Sequence, residues 1–89
     1  MHPHPIAYLI ASTVATATDR DDLVRAQQTA SRAIARLPDE DTSLMPGICD
    51  AYNMSYLASE AMISRRDGYI GHALRCEMTV DRLLSGFGL

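Results

Sequence analysis

Apolar residues recur every three or four positions through four stretches of the chain, and short polar breaks divide them. That period predicts four helices and leaves no segment with strand alternation. The first helix is expected from about Pro5 to Thr18, with Ile6, Leu9, Ile10, Thr13, Val14 and Ala17 on one face. Pro5 suits its first turn. Asp19-Arg20-Asp21-Asp22 reads as a turn that feeds the second helix; Thr18 or Asp19 can cap it, and the acids favour the positive end of its dipole. The second helix, about Arg20 to Leu37, has the clearest pattern. Leu23, Ala26, Ala30, Ala33, Ile34 and Leu37 form one stripe, and Arg25, Arg32 and Arg36 lie opposite. Pro38 stops it.

After an acidic linker over residues 38–42, a third helix starts near Ser43 to Pro46 and reaches about Arg66. It is apolar over most of its circumference. Ile48, Tyr52, Tyr56 and Ile63 make one stripe, and Met54, Ala58, Ala61 and Met62 another. Only a narrow strip around Asp50, Asn53, Glu60 and Ser64 is polar. A helix of this kind is central in its fold or covers a partner. Asp67-Gly68 breaks the chain, and a fourth helix runs from about Tyr69 to Ser85, with Gly86 as its stop. Ala73, Cys76, Val80, Leu83 and Leu84 form its main stripe. Leu74 and Met78 form a smaller patch, and residues 86–89 a short apolar tail. The expected fold is therefore all-α: a small antiparallel four-helix bundle made of two helical hairpins, in one domain over residues 1–89, with a mobile N-terminus at 1–4.

The two hairpins overlay loosely. Tyr8-Leu9 and Tyr56-Leu57 open similar helices, and Ala26, Ala33 and Leu37 match Ala73, Val80 and Leu84 at one constant offset. The spacing of Ala26, Ala33 and Pro38 is similar to the small-residue and proline positions of a tetratricopeptide unit. The large aromatic positions of that family are missing, the second hairpin departs from its period, and two repeats are too few for a solenoid, so membership is not assigned.

Composition narrows the function classes. Eleven acidic and eight basic residues give a net charge of −3, and every basic residue is Arg. Mild acidity disfavours non-specific binding to nucleic acid or an anionic membrane. Ile6 to Ala17 imitates a signal-peptide core, but no Arg or Lys precedes it and Ser and Thr interrupt it; it is also too short to span a bilayer. Cys49 and Cys76 lack any paired zinc spacing and read as reduced thiols, one bridge between them being the alternative. The expected setting is the cytoplasm.

Four chemical candidates can be named. His72 and Cys76 share a helix face and could bind metal with Cys49 or Asp50, but the spacing specifies no complete ligand set. Glu77 and Asp81 form a carboxylate pair four apart, against which stands pairing with Arg75 or Arg82. Arg25, Arg32 and Arg36, with Arg65 and Arg66, are the candidate nucleic-acid contacts of a small helical DNA-binding regulator. His2 and His4 could take a metal adventitiously. None makes a catalytic constellation, and no enzyme activity, cofactor or metal is expected.

The strongest lead is the surplus apolar surface of the third helix. Tyr52, Tyr56, Met54 and Met62, with Phe87 from the tail, are residue types favoured at interfaces. The expected function is a non-enzymatic module that binds another protein, a homodimer being one form. A phage or mobile-element inhibitor that occupies a surface of a host complex such as a CRISPR effector fits that description. An assembly or secretion-type chaperone or adaptor fits it equally.

Overall fold

The computed structural model describes residues 5–36 and 45–89, with only the backbone at Met45. Four helices account for most of them, and the described residues contain no strand: α1 (Pro5–Thr16), α2 (Arg20–Arg36), α3 (Met45–Arg66) and α4 (Ile70–Gly86). The all-α four-helix bundle expected from the apolar period is the fold. Leu37, Pro38, the acidic run Asp39-Glu40-Asp41 and the N-terminal His2 and His4 lie outside the described residues.

The helix ends follow local chemistry. Asp19 caps α2, its carboxylate accepting the Asp22 N–H at 2.9 Å, and Asp21 and Asp22 sit in the first turn where the dipole favours them. The α1 helix ends two residues before the expected Thr18. There the Thr16 hydroxyl donates to the Ser12 carbonyl at 3.0 Å, and the Ala17 N–H reaches back only three residues, to Val14. Both α3 and α4 close on the same hydrogen-bond pair. Tyr69 N–H donates to Ser64 O and Gly68 N–H to Arg65 O; Leu89 N–H donates to Leu84 O and Gly88 N–H to Ser85 O. This pairing requires a left-handed residue just past the helix, and Gly68 (φ 87°) and Gly88 (φ 79°) supply it. Gly86, the stop expected from the sequence, is instead the last residue of α4, because the left-handed position falls two residues later.

Helix α3 is the centre of the molecule, packing on α1, α2 and α4. Two polar ties fix its register on α2: Arg20 Nε donates to Ser59 Oγ at 3.1 Å, and Gln27 Nε2 donates to the Tyr52 hydroxyl at 3.1 Å. As α2 advances, its partners on α3 retreat. The core between these helices holds Ile10, Leu23, Ile48 and Met54, all essentially without solvent contact, and small residues such as Ala7, Ala11, Ala30 and Ala51 let the backbones approach. Burying each large side chain contributes about 1.5–3 kcal/mol. Ser55 and Ser59 are buried at the same seam, where a larger residue would force the helices apart. Ser55 satisfies its hydroxyl on the Tyr52 carbonyl at 2.8 Å. Ser64, expected in the polar strip of α3, is buried as well.

The fourth helix is held differently. Residues 67–69 leave room only for the chain to double back, and α4 packs along α3 without extensive contact to α1 or α2. Its later half reaches the shared core through Val80, Leu83, Leu84 and Phe87. The molecule measures 44 × 22 × 19 Å. A helix of 22 residues such as α3 is about 33 Å long, so the bundle is longer than its longest helix, a staggered arrangement. No helix among the described residues is long and apolar enough to cross a membrane.

Candidate functional site

The five side chains singled out as interface candidates scatter once the helices pack. Met54 lies wholly in the core and has no surface to offer a partner. It belongs to the core cluster that α3, as the central helix, shares with its neighbours. Tyr52 and Met62 are partly buried against the core, Tyr52 with its hydroxyl engaged by Gln27. Phe87 packs back on the core just beyond α4. Tyr56 alone is well exposed, at 50 %. The apolar excess of α3 is thus mostly intramolecular.

More of the exposed apolar surface is on α1, where Ile6, Tyr8 and Leu9 are 38, 44 and 61 % exposed, and on α4. Ile70, Leu74 and Met78 follow one another at four-residue steps and are 44, 49 and 63 % exposed. Four-residue spacing places them along one inclined ridge of the helix surface. Tyr69, the residue just before α4, is exposed as well. The sequence pattern had marked Leu74 and Met78 as a minor patch. It gave no sign that this patch would stay uncovered, since that depends on α4 packing chiefly on α3.

Beside the ridge lies a groove of about 190 Å³ between α3 and α4. Ala58, Ala61, Met62 and Val80 form its floor, and Arg65, Glu77 and Asp81 stand around it. Arg65 grips Glu77 with two nitrogens: Nη2 donates to Oε1 and Oε2 at 2.6 and 2.8 Å, and Nε to Oε1 at 3.0 Å. Asp81 is exposed and has no ion-pair partner among the described residues. Two other grooves, one beside Leu9 and Thr13 and one beside Gln27 and Tyr52, are lined by more polar groups such as Asp22, Arg25, Gln28 and Ser31.

The chemical candidates resolve one by one. His72 Nε2 stands 3.7 Å from Cys76 Sγ, as their spacing implied, and 3.6 Å from Glu60 Oε1, a neighbour the sequence did not reveal. Cys49 and Asp50 lie about 15 Å further along α3 from Glu60, at 1.5 Å per residue, and take no part. Both short approaches fall on the same ring nitrogen, whereas a thiol–imidazole–carboxylate relay needs one partner on each nitrogen. Burial pushes the Cys76 thiol above its ordinary range, and Glu60 and Glu77 add to that against the opposing pull of Arg75. This favours the unreactive thiol form. Among the described residues no group of three acidic, histidine or cysteine side chains is arranged to hold a metal ion. Cys49 and Cys76 are both free thiols.

Glu77 pairs with Arg65 of α3, not with Asp81, Arg75 or Arg82, so the two carboxylates on α4 are not a matched acid and base. Of the arginines proposed for nucleic acid, Arg65 is bound to Glu77, Arg66 to Asp67 at 3.1 Å and Arg25 to Asp22 at 2.9 Å. Arg32 and Arg36 are exposed near the far end of α2. They stand about 18–24 Å along the helix from Arg20, which is tied to α3 at Ser59 seven residues before Arg66. The basic residues therefore form separate spots and not one patch.

Comparison with known proteins finds no matching family model, no matching curated protein and no matching solved structure.

Proposed function

We propose that this chain is a non-enzymatic protein-binding module whose working surface is the outer side of the α3/α4 pair. The observation that carries the reading is the ridge of Ile70, Leu74 and Met78, three large apolar side chains about half exposed in one line. A lone exposed Leu is ordinary on a protein surface, but a contiguous apolar row beside a groove is the usual form of an interaction site. Met and Leu adapt to an irregular partner, and the neighbouring Tyr69 offers rigid contact area. The engaged arginines and the raised thiol leave less support for nucleic-acid binding or nucleophilic catalysis.

A photo-crosslinking amino acid placed at Leu74, in the full chain expressed in the cells that encode it, tests this directly. A discrete adduct that disappears when Met78→Glu is added supports the reading. An adduct of twice the chain mass identifies the partner as a second copy. Absence of any adduct above that seen with the crosslinker at the exposed polar position Gln28 overturns it.

A further inference from the structure

We infer that Asp67 is a site of spontaneous isomerisation to isoaspartate, and that the turn between α3 and α4 is the gate that controls it. This concerns the covalent chain and stands apart from the protein-binding reading. Asp67 is the only Asp or Asn in the chain that Gly follows. The glycine matters because the reaction begins when the next residue's main-chain nitrogen attacks the side-chain carboxyl carbon. Gly68 has no side chain to obstruct that approach, and the space beside its Cα is open. The Asp67 side chain is 46 % exposed, so water reaches it.

The reaction needs no partner but water. The Gly68 nitrogen bonds to Cγ of the protonated Asp67 carboxyl and gives up its proton, and one carboxyl oxygen leaves as water. The product is a cyclic imide. Water then adds to one of its two carbonyls. Addition at Cγ restores aspartate. Addition at the main-chain carbonyl breaks the bond from that carbonyl to the Gly68 nitrogen and frees it as a carboxylate, so the chain now runs through Cβ and Cγ. Mass and charge are unchanged, and the main chain is longer by one carbon atom.

The folded turn holds the reacting atoms apart. Gly68 N–H is aimed at Arg65 O at 3.3 Å and Tyr69 N–H at Ser64 O at 2.7 Å. Together these bonds fix the peptide plane between Asp67 and Gly68, with its N–H turned back along α3. Attack requires that plane to rotate until the nitrogen faces the carboxyl carbon. Arg66 Nε also holds the carboxylate, at 3.1 Å from Oδ1. The ring therefore closes only when this exposed turn opens locally. The same geometry sets the consequence. The left-handed Gly68 at φ 87° places the Tyr69 amide on Ser64 O, and an added carbon before Gly68 carries that amide away. Since α4 packs chiefly on α3, its register is what the modification releases.

The test keeps the full chain at neutral pH for several weeks, folded in buffer and unfolded in guanidinium. Isoaspartate is read by methyl transfer from an isoaspartyl methyltransferase and placed by peptide mass spectrometry. Position 67 should hold most of it in guanidinium, and folding should slow its formation at least about tenfold. Tyr69→Pro removes the N–H donated to Ser64 O at a φ of −86°, near the proline value, and should bring the rate in buffer to within about threefold of the unfolded one. Hydrogen exchange gives a readout that needs no variant: the slowing on folding should match the protection of the Tyr69 amide within about threefold. The isomerised chain, separated by chromatography, should show displaced amide shifts along α4 and unchanged ones in α2. Isoaspartate spread over other positions in guanidinium overturns the site. Equal rates in the folded and unfolded chain, or slowing unrelated to Tyr69 protection, overturn the gate. Unchanged α4 shifts in the isomerised chain overturn the loss of register.

Discussion

The two helix pairs of this protein are built alike and finished differently. Their inner seams agree. Ala26 and Ala73, and Ala33 and Val80, are equivalent positions, and all four are buried. Their outer positions disagree. Leu23 is fully buried and its counterpart Ile70 is 44 % exposed; Ala30 is fully buried and its counterpart is the half-exposed Glu77. The difference lies in the neighbour and not in the pair, since α3 packs against both α1 and α2 and no described helix does the same for α3 and α4. Small residues on the seam make a helix pair, and a third helix turns its outer side into core.

The sharpest way to break this comparison is to put the second pair's residue into the first. Ala30→Glu places a carboxylate and two methylenes where Ala30 has no solvent contact. It should cost at least about 3 kcal/mol by overpacking and charge burial, against under about 1 kcal/mol for Glu77→Ala. Equal costs, read from urea denaturation, would mean that the two positions do not differ in environment as the comparison requires. Next comes large-to-small truncation. Leu23→Ala should destabilise by about 2–5 kcal/mol and Ile70→Ala by about 1 kcal/mol or less. A large loss at Ile70 would show that the α4 ridge is covered in solution, for instance by another copy.

A smaller effect separates the connections. The link from α1 to α2 uses no positive-φ residue, whereas the link from α3 to α4 turns on Gly68 at φ 87°. A Cβ there meets no neighbour, so the cost of Gly68→Ala is conformational, about 1–2 kcal/mol by thermal melting. No loss would mean that the turn relaxes. Smallest is the Arg65–Glu77 pair, which is well formed but with both side chains 40 % or more exposed. A double-mutant cycle should give a coupling under about 1 kcal/mol that shrinks with added salt. A coupling that ignores salt would indicate a drier groove than its open lining suggests.

Much of the fold is written in the local pattern. Pro5, Asp19 and Gly68 mark helix ends by their backbone chemistry, and the apolar character of α3 over most of its circumference narrows it to a central helix or one that covers a partner, the first of which its packing on three helices bears out. The candidate site was legible only in part, and α3 shows why. A helix that is apolar over most of its circumference has no single preferred face, so its sequence cannot say that Met54 turns inward while Tyr56 turns out. The approach of Glu60 to His72 and the grip of Arg65 on Glu77 depend on how two helices slide past each other, which no spacing within one helix encodes. The α4 ridge was visible as a patch, but its prominence comes from the absence of a neighbour.

That every extensive contact joins helices adjacent or next-but-one in sequence has a kinetic meaning. A square bundle must bring its first and last helices together and bear the entropy of closing nearly the whole chain. Here each helix can dock as soon as its predecessor is in place, and the search is a succession of short closures. Chains of such low contact order fold in roughly microseconds to milliseconds, which leaves little time for the exposed Leu and Met side chains of α4 to find a wrong partner before the correct surface exists.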